Sequence, residues 1–459
     1  MTILLNRYHL GGIFFVAIIL TACTDYSELD PKPVPTGEAD FSTYVAVGNS
    51  LMAGYQSQAL FQSAQEYSFP NLLARQFRQA QSFSQPLISD PGIGSRIELT
   101  SLNPLGTTQS QQQGDVINQS EKPFNNLGIP GAVLVDYANP ENAGHLKERA
   151  TNSNYPGYNP FYSIVMEESE LQEAAPNIHH QVAKQEPTFI TFWLGNNDVL
   201  GFVTSGGEGQ SITPPATFNQ LYQLSGQLLS STEAGVVVYN IPNVTNIPFV
   251  FLLKAQLEQQ EVIVFNETSQ SYELPTEQGN FTIYINVDGS PQPLRQDDFV
   301  LLSAQSYFAQ VQAEELPPPI QPQNAIPDNL VLDGNLATPA VDSELEQAVA
   351  AVTAYNTTIQ GVASAFGFAL VDINAVFQQI IANFQESEGG YTANGITLQP
   401  VPGSLFSLDG VHPGNRGYAA IANETIEVIN QAFGASVEPV DISTIPRGLP
   451  VVSNTLTAN

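Results

Sequence analysis

A serine and a histidine near opposite ends of the chain each have neighbours that suit nucleophilic catalysis. Ser50 lies in the segment GNSL, which directly follows the apolar run YVAV. His412 lies in the segment DGVHP, three residues after Asp409. A carboxylate at that spacing can reach back to the Nδ1–H group of the imidazole, which leaves Nε2 to act as a base toward a hydroxyl. These residue types indicate a serine nucleophile assisted by a base.

Both segments also have structural interpretations. A serine where a strand turns into a helix commonly caps the helix, and an Asp-x-x-His segment can be a hydrogen-bonded turn. The Pro and Gly residues around His412 indicate a loop, where functional side chains concentrate. If Ser50 follows the first strand, its hydroxyl lies at the carboxyl edge of a parallel sheet, where ligands of open α/β sheets bind.

Two further segments could supply hydrogen-bond donors to an oxyanion. Asn197 lies in GNND, directly after the apolar run TFITFWL, and an amide can donate without adding charge. Gly131 lies in NLGIPGA, and the absence of a Cβ would let its N–H group approach a substrate closely. The structural alternatives are an Asx turn at Asn197 and an ordinary turn at Gly131.

Short apolar runs that alternate with helical patterns predict the elements that must position these residues. Strands alternating with helices imply a parallel sheet covered on both faces, which is an α/β fold. The helical pattern is clearest at residues 344–366 and 417–433. The predicted strands are residues 43–47, 125–129, 188–194, 235–241 and 368–373.

Two regions interrupt this alternation, and we predict that both are insertions into one domain at residues 41–434. Residues of about 76–123 are rich in Gln, Ser, Pro and Gly, with few long apolar runs. Residues of about 255–340 contain the alternating segments EVIVF and NFTIYINVDG, which predict a β-hairpin, and a proline-rich segment. The tail at 435–459 has no helical period and is expected to lie over the surface.

The N-terminal segment has the pattern of a secretory signal. Arg7 precedes a short apolar run at 13–20, and the segment LTAC ends at Cys23, the single cysteine of the chain. The pattern resembles a bacterial lipoprotein signal, which implies cleavage after residues 1–22, lipidation of Cys23 and a polar tether at 23–40. The expected location is the bacterial cell envelope, on the outer membrane. The alternative is an ordinary signal peptide in which the cysteine is incidental.

Charge and composition exclude several classes of partner. The chain has 44 acidic and 13 basic side chains, a net charge of −31, which repels nucleic-acid phosphates. Hydrophobic residues make up 42% of the 459 residues, so the charge does not indicate disorder. His179 and His180 could be metal ligands, but adjacent side chains point apart and no HExxH pattern surrounds them. We therefore expect neither nucleic-acid binding nor a metal.

Taken in order, GNSL, NLGIPGA, GNND and DGVH resemble the four blocks of the SGNH hydrolase superfamily, also called GDSL esterases/lipases. The resemblance covers residues of about 41–434, interrupted by the two insertions. It implies a flavodoxin-like three-layer α/β/α sandwich with a mainly parallel five-stranded sheet in the order 2-1-3-4-5. It also implies that no cofactor is used. The α/β-hydrolase elbow G-x-S-x-G is disfavoured, since Met52 occupies its last position.

The resemblance assigns a role to each block. It implies that Ser50 is the nucleophile, His412 the general base and Asp409 the group that orients His412. The N–H groups of Ser50 and Gly131, with the side chain of Asn197, would form the oxyanion hole. The implied activity is hydrolysis of a small-molecule ester, a lipid or an acylated glycan through an acyl-enzyme.

One residue departs from the family pattern. Asn49 stands where the family usually has Asp, which keeps the shape and an acceptor but removes the charge. Asn49 is not one of the assigned catalytic groups, so we expect a local change in hydrogen bonding and retained activity. It leaves open a non-catalytic ligand-binding envelope lipoprotein on the same fold. A structural envelope lipoprotein, in which the motifs coincide by chance, is a third hypothesis.

Overall fold

A parallel sheet organises the part of the chain that the computed structural model describes, which is residues 34–79, 81–102, 105–138, 143–173, 176–334 and 343–452. Its five strands have the spatial order β2-β1-β3-β4-β5, and all four pairings are parallel. The predicted order 2-1-3-4-5 is therefore confirmed. The strands are β1 (Tyr44–Gly48), β2 (Asn126–Gly128), β3 (Phe189–Trp193), β4 (Gly235–Tyr239) and β5 (Ala369–Val371).

The register of the central strands sets the functional edge. Gly48, the last residue of β1, pairs with Gly128 at the end of β2 and with Trp193 at the end of β3. The loops that follow these three strands therefore leave the sheet at the same level. Because parallel strands present their carboxyl ends at one edge, the GNSL, NLGIPGA and GNND segments all emerge there.

Helices account for most of the remaining core. Helix α8 (Glu344–Phe366) has the bounds predicted from the sequence, and local capping signals mark both of its ends. Ser343 and Glu346 form a capping box at its start, and Gly367 ends it in the left-handed conformation with φ 71°. The core helices are α1 (Ser50–Ala53), α2 (Phe69–Gln76), α3 (Val135–Ala138), α4 (Ile178–Lys184), α5 (Asn197–Thr204), α6 (Pro215–Ser230), α7 (Pro248–Gln259), α8 (Glu344–Phe366), α9 (Ile373–Ser387) and α10 (Asn415–Phe433).

Shorter helical segments connect these elements. One-turn and two-turn α-helices lie at Gln62–Gln65, Ala143–Thr151, Phe161–Val165, Glu168–Leu171 and Gln305–Gln312. Turns of 3₁₀ helix lie at Gln119–Glu121, Val244–Asn246, Leu302–Ala304, Pro322–Asn324, Asp328–Leu330 and Ile442–Thr444.

Successive side chains of β3 contact helices on opposite faces of the sheet. Trp193 packs against Phe69 of α2, which in turn packs against α10. The preceding residue, Phe192, packs against Tyr137 of α3 and Tyr222 of α6. Because successive side chains of a strand point to opposite faces, helices cover both sides of the sheet. The fold is the three-layer α/β/α sandwich that the sequence predicted.

Small antiparallel sheets make up much of the two predicted insertions. In the first, Ile97–Leu102 pairs with Leu105–Gln109, and Ile93–Gly94 pairs with Ala59–Leu60, which precedes the insertion. In the second, which contains the predicted hairpin, they are Val264–Asn266, Ser271–Thr276 and Gly279–Thr282, then Tyr284–Val287 with Ser290–Pro293, and Phe299–Val300 with Val331–Leu332. A further hairpin joins Tyr391–Ala393 to Ile396–Leu398.

The second insertion has a hydrophobic cluster of its own. Ile283, Ile285, Leu294 and Val300 are buried together in it. The cluster also includes Leu253 of α7, so this helix joins the core domain to the insertion. The predicted boundary near residue 255 therefore falls inside a continuous helix.

The two ends of the chain differ in what the structure describes. Residues 1–33 lie outside the described residues, and with them the predicted signal peptide, Cys23 and most of the predicted tether. No helix in the described ranges is long and apolar enough to cross a membrane.

The C-terminal tail covers α10, since the N–H groups of Val437 and Val440 donate to the side chains of Asn430 and Asn423 at 2.8 and 2.7 Å.

Candidate active site

Ser50 is held at the end of β1 by a tight turn. Asn49 caps α1, because its side-chain oxygen accepts a hydrogen bond from the N–H of Leu51 at 3.0 Å. Ser50 is therefore the first residue of the helix, and the interpretation of Ser50 as the cap is wrong. The turn needs glycine at position 48, where a Cβ would lie 2.4 Å from the side chain of Met52 and 2.7 Å from the carbonyl oxygen of Trp193.

The structure brings Ser50, His412 and Asp409 together across 362 residues of sequence. The Oγ atom of Ser50 lies 2.9 Å from Nε2 of His412. The Nδ1 atom of the same ring lies 2.9 Å from Oδ2 of Asp409. Ser50 is 7% exposed and Asp409 5% exposed, so the cluster is largely shielded from water. A hydroxyl, an imidazole and a carboxylate in this sequence of contacts can pass a proton from Oγ to Nε2.

Asp409 is surrounded by hydrogen-bond donors. Its Oδ1 accepts from the N–H groups of Val411 and His412, both at 2.9 Å, and from the hydroxyl of Ser407 at 3.1 Å. Its Oδ2 also accepts from the N–H of Gln58 at 3.0 Å. Burial alone would raise the pKa of Asp409, but the nearby His412 and these hydrogen bonds outweigh it and lower the pKa to about 2. Asp409 is therefore ionised wherever an imidazole titrates.

A loop that follows α1 clamps the histidine loop. The N–H of Ser57 donates to the hydroxyl of Ser407 at 2.9 Å, and the hydroxyl of Ser57 accepts from the N–H of Leu408 at 3.2 Å. The ring of Tyr55 packs on the ring of His412, with centroids 4.9 Å apart. Sequence reasoning missed this clamp, because no local pattern links residues that are about 350 positions apart.

The two predicted oxyanion segments lie side by side. The Nδ2 atom of Asn197 donates to the carbonyl oxygen of Ala132 at 2.8 Å, which joins α5 to the loop that contains Gly131. An amide nitrogen has a second hydrogen that this bond does not use. Gly131 has φ 81°, a conformation that favours glycine, and its carbonyl oxygen accepts from Arg149 at 3.3 Å. The Asn197 side chain thus contacts the residue that follows Gly131.

A buried carboxylate supports this pair of segments and was not identified from the sequence. Asp198 follows Asn197 and is 3% exposed. Its Oδ2 accepts from the N–H of Leu134 at 2.9 Å, and its Oδ1 accepts from the hydroxyl of Thr213 at 2.8 Å. Burial raises the pKa of Asp198 to about 6 despite these bonds. The carboxylate positions the Gly131 loop against the start of α5.

Asn49, the departure from the family pattern, uses both ends of its amide. Its oxygen accepts from Leu51, as described, and its Nδ2 donates to the side-chain oxygen of Asn196 at 3.2 Å. An ionised aspartate could make the first bond and not the second, because a carboxylate has no hydrogen to donate. The amide therefore joins the serine turn to the residue that precedes Asn197.

An apolar cavity opens beside Ser50 and His412. Phe61 does not line this cavity, because it is buried in a separate cluster with Ala59 and Ala64. The cavity is lined by Asn49, Ser50, Leu51, Trp193, Asn196, Asn197, Val199, Leu200, Ile241, Pro242, Val244, Ile247, Phe377, Phe406, Val411, His412, Pro413 and Ile421.

The remaining histidines that the structure describes have structural partners. Nδ1 of His179 lies 3.0 Å from the hydroxyl of Tyr137, and burial lowers the pKa of His179 to about 4. Nε2 of His180 lies 3.3 Å from the side-chain nitrogen of Asn177. His145 forms a hydrogen bond with the hydroxyl of Tyr155.

Comparison with known proteins gives one family match and several similar solved structures. Residues 44–288 match the family model described as GDSL-like Lipase/Acylhydrolase. Comparison with curated proteins finds no match. Similar solved structures include LAE5, an alpha/beta hydrolase enzyme from the metagenome of Lake Arreo, Spain, with 12% identity, 85% of this chain and 96% of that chain covered, and a TM-score of 0.35.

Two further solved structures are similar at the same level. One is a point mutant of Axe2, an acetyl-xylooligosaccharide esterase from Geobacillus stearmophilus, with 11% identity, 86% and 96% coverage and a TM-score of 0.34. The other is described as a GDSL-like lipase from Parabacteroides merdae ATCC 43184, with 10% identity, 88% and 99% coverage and a TM-score of 0.31.

Proposed function

The chain belongs to the GDSL-like lipase/acylhydrolase family, whose model matches more than half of its residues, and from this premise we propose that it is a carboxylic ester hydrolase that uses Ser50, His412 and Asp409. One observation carries the proposal: Oγ of Ser50 and Nε2 of His412 are 2.9 Å apart, and Nδ1 of His412 is 2.9 Å from Asp409. Motifs that coincide by chance have no reason to meet in this geometry.

In the first step, Oγ of Ser50 attacks the carbonyl carbon of the ester while Nε2 of His412 takes the hydroxyl proton. The carbonyl oxygen becomes an oxyanion. The carboxylate of Asp409, ionised and fully hydrogen-bonded, stabilises the imidazolium that forms. The imidazolium then gives its proton to the departing alcohol, and the acyl group stays on Ser50.

In the second step, water replaces the alcohol. Nε2 of His412 takes a proton from the water as its oxygen attacks the acyl-enzyme carbonyl. Collapse of the second tetrahedral intermediate breaks the bond to Oγ of Ser50, and the proton returns to the serine. The products are a carboxylic acid and free enzyme, so atoms and charge balance over the cycle.

Three donors would stabilise both tetrahedral intermediates. They are the backbone N–H groups of Ser50 and Gly131 and the second hydrogen on Nδ2 of Asn197. The bond from Asn197 to Ala132 holds the amide in place before the substrate binds. Fixed donors of this kind stabilise developing charge without reorganising, which is the largest single contribution in many acyl-transfer enzymes.

The cavity beside Ser50 fits the acyl part of the substrate. Its wall includes Leu200, Ile241, Val244, Ile247 and Phe377, none of which can hydrogen-bond a sugar hydroxyl. An alkyl chain gains about 0.8 kcal/mol per buried methylene, or about fourfold in specificity. We therefore propose an ester with a short-to-medium alkyl chain, with the alcohol part (a lipid or a glycan) directed toward solvent.

The proposed location is the bacterial cell envelope, on the outer membrane, through a lipid on Cys23. The support is the sequence pattern that ends in LTAC. Cells that express the chain and take up an alkyne-labelled palmitate should label it, and Cys23→Ser should abolish the label and release the protein from membranes. An unlabelled wild-type chain in the aqueous fraction would contradict the anchor.

The nucleophile is tested with a fluorophosphonate probe and p-nitrophenyl esters. Wild type should react covalently with the probe, and Ser50→Ala should lose both labelling and nearly all turnover while keeping its circular dichroism spectrum. Turnover by Ser50→Ala at the wild-type rate would disprove the assignment. A wild-type protein that binds esters without labelling or turnover would instead favour the non-catalytic binding protein.

The acyl cavity is tested with a series from acetate to decanoate. The ratio kcat/KM should rise by up to about fourfold per methylene until the cavity is filled. Val244→Trp should move the optimum to shorter chains. Ile117→Trp, at a side chain that is 51% exposed, is the matched control and should leave the optimum unchanged. An optimum that Val244→Trp does not move places the acyl chain elsewhere.

A further inference from the structure

The loop between β2 and α3 leaves a single backbone donor unused among the residues that the structure describes. The other N–H groups of residues 129–134 each have an acceptor. They donate as follows: Ile129 to the carbonyl oxygen of Gly48 at 2.9 Å, Ala132 to that of Ile129 at 3.0 Å, Val133 to Asp136 at 3.0 Å and Leu134 to Asp198 at 2.9 Å. Pro130 has no N–H group. The N–H of Gly131 therefore remains, and Gly131 is exposed, so this donor is open to a ligand.

Side chains from other segments hold the carbonyl oxygens of the same loop. The donors are Nδ2 of Asn159 to Pro130 at 2.6 Å, the guanidinium of Arg149 to Gly131 at 3.3 Å and Nδ2 of Asn197 to Ala132 at 2.8 Å. Each of the five residues 130–134 thus has a backbone group bonded to a side chain. The conformational entropy of this loop is therefore lost when the protein folds, and not again in each catalytic cycle.

Asn159 fixes the direction of the unused donor. The carbonyl group of Pro130 and the N–H group of Gly131 belong to one peptide unit, which is planar and trans. In such a unit the two groups point in opposite directions. The bond from Asn159 to the oxygen therefore sets where the N–H points, which is away from Asn159. The same bond polarises the unit, because hydrogen bonds in a chain strengthen one another.

Asn159 is itself held by its neighbours. Its Oδ1 accepts from the N–H of Phe161 at 3.0 Å, and its own N–H donates to the carbonyl oxygen of Arg149 at 2.8 Å. A Cβ on Gly131 would lie 3.0 Å from Nδ2 of Asn159, so a larger residue at position 131 would press on the amide. Glycine at this position thus allows both the positive φ and the close contact.

Arg149 holds the next peptide unit, which begins at the carbonyl group of Gly131. Nη1 of Arg149 lies 2.9 Å from both oxygens of Asp136, whose side chain is fully buried. The hydroxyl of Tyr162 donates to the same carboxylate, and the centroid of its ring lies 4.9 Å from the guanidinium carbon. Both peptide units that flank the Cα atom of Gly131 are thus tied to side chains. Neither φ nor ψ of Gly131 can change much unless one of these bonds breaks.

We propose that Asn159, supported by Arg149, is a positioning residue for the oxyanion hole. The inference rests on the proposed function, in which the N–H of Gly131 is one of three donors to the tetrahedral intermediates. A donor that is already aimed stabilises the developing charge without reorganising. When the bond to Pro130 is lost, the peptide unit can rotate, and the donor must be ordered in every turnover. Because the donor contributes more to the transition state than to the bound ester, the loss should fall on kcat.

The test compares two Asn159 variants by steady-state kinetics on p-nitrophenyl butyrate. Asn159→Asp keeps the oxygen that accepts from Phe161 and loses the donor to Pro130, and Asn159→Leu removes the donor without adding charge. Both should lower kcat by about 10- to 100-fold, which is less than the loss of a whole donor, with KM changed by less than about twofold. Asn154→Asp is the matched control, because it adds the same charge at an exposed side chain of the same segment, and it should retain wild-type kcat.

A boronic acid separates positioning from a general loss of structure. Oγ of Ser50 adds to the boron of butylboronic acid while its proton passes to His412, so the adduct is a tetrahedral anion like the intermediate. Its inhibition constant should rise across the Asn159 variants in the same proportion as kcat/KM falls. Arg149→Lys keeps the charge beside Asp136 but loses the fixed fork of donors, so it should lie between wild type and these variants. Circular dichroism verifies each fold, and Asn159→Ala replaces Asn159→Leu if the latter does not fold.

Three results would overturn the inference. Wild-type kcat in both folded Asn159 variants would show that the N–H of Gly131 is positioned without Asn159. A loss in Asn159→Asp that is absent from Asn159→Leu would assign the effect to the added charge. In both cases the wild type would still react with the fluorophosphonate probe, and the Ser50 mechanism would stand. A wild-type protein that neither labels nor hydrolyses esters would overturn the proposed function, and this inference with it.

Discussion

The protein holds buried carboxylates in two contrasting surroundings. Asp409, beside the imidazole, receives four backbone and side-chain hydrogen bonds in addition to the contact with His412, and its pKa falls to about 2. Asp328, at the start of the 3₁₀ turn Asp328–Leu330, and Glu344, the first residue of α8, have acidic neighbours, and burial and these neighbours raise their pKa values to about 6 and about 8. Burial acts in the same direction in both places, so the partners decide the outcome.

The comparison indicates what each region is built to do. A carboxylate that stays charged wherever an imidazole titrates can orient His412 and stabilise its cationic form throughout the catalytic cycle. Carboxylates with acidic neighbours hold their protons to higher pH, so their charge changes over a range in which the charge of Asp409 does not.

The largest expected effect comes from removing the charge of Asp409. In Asp409→Asn the amide can donate to Nδ1, which leaves the hydrogen of His412 on Nε2, where it cannot accept the serine proton. We expect kcat to fall by about 10³- to 10⁴-fold with the fold retained. Steady-state kinetics on a p-nitrophenyl ester measures this. Asp115→Asn, at an exposed side chain, is the matched control, and an Asp409→Asn enzyme with wild-type kcat would remove Asp409 from the mechanism.

A smaller loss should follow truncation of the proposed oxyanion donor. Asn197→Ala should lower kcat by about 10²- to 10³-fold, because one donor to the intermediate is lost, and KM should change little. The change also removes the bond to Ala132, so the crystal structure or the circular dichroism spectrum must show an intact loop. If kcat/KM falls only because KM rises, with kcat unchanged, Asn197 binds the ground state and plays no special part in the transition state.

The pH dependence of stability should differ between wild type and Glu344→Gln. A carboxyl whose folded pKa is raised loses its proton more readily in the unfolded chain, so wild-type stability falls as pH rises from the unfolded value, about 4, through the folded value of about 8. Glu344→Gln removes this penalty. Its Tm should equal that of wild type near pH 4 and exceed it by a few degrees at pH 8. Glu277→Gln, at an exposed side chain, should show no such divergence.

The smallest effect is expected when a carboxylate is placed at the serine turn. Asn49→Asp keeps the acceptor for the N–H of Leu51 and loses the donor to Asn196, a loss of about 1 kcal/mol in stability. The residue is not one of the reacting groups, so kcat/KM should stay within about threefold. A loss of more than tenfold would show that the neutral amide is required at the catalytic edge.

Particular residues show why some elements were predictable. The strands of the core were found because apolar, β-branched runs are local signals of a buried parallel strand. Helix α8 was predicted from apolar residues at helical spacing, and its ends agree with the prediction because Ser343, Glu346 and Gly367 cap it. The hairpin Ile97–Leu102 with Leu105–Gln109 was missed: the region around it is rich in Gln, Ser, Pro and Gly, and the alternation in its first strand extends over only four residues, 97–100.

The candidate site also contains residues that the sequence predicted and contacts that it did not. Ser50, Gly131, Asn197 and His412 were singled out because each lies in a short motif next to a predicted strand or loop. Contacts that join distant segments through backbone groups had no such signal. Among them are the donation from Gln58 to Asp409 and that from Leu134 to Asp198.

The sequence by itself determined the chemistry available to this protein and the layered α/β frame that carries it, because residue type and apolar periodicity are local properties of the chain. Only the tertiary structure decided that an imidazole nitrogen lies 2.9 Å from a hydroxyl 362 residues away, and that carboxylate oxygens of Glu208, Asp288 and Asp328, from three separate segments, lie within 4.8 Å of one another. The physical reason is that distances and electrostatic environments depend on how distant segments pack, and such packing leaves no signature in any one stretch of sequence.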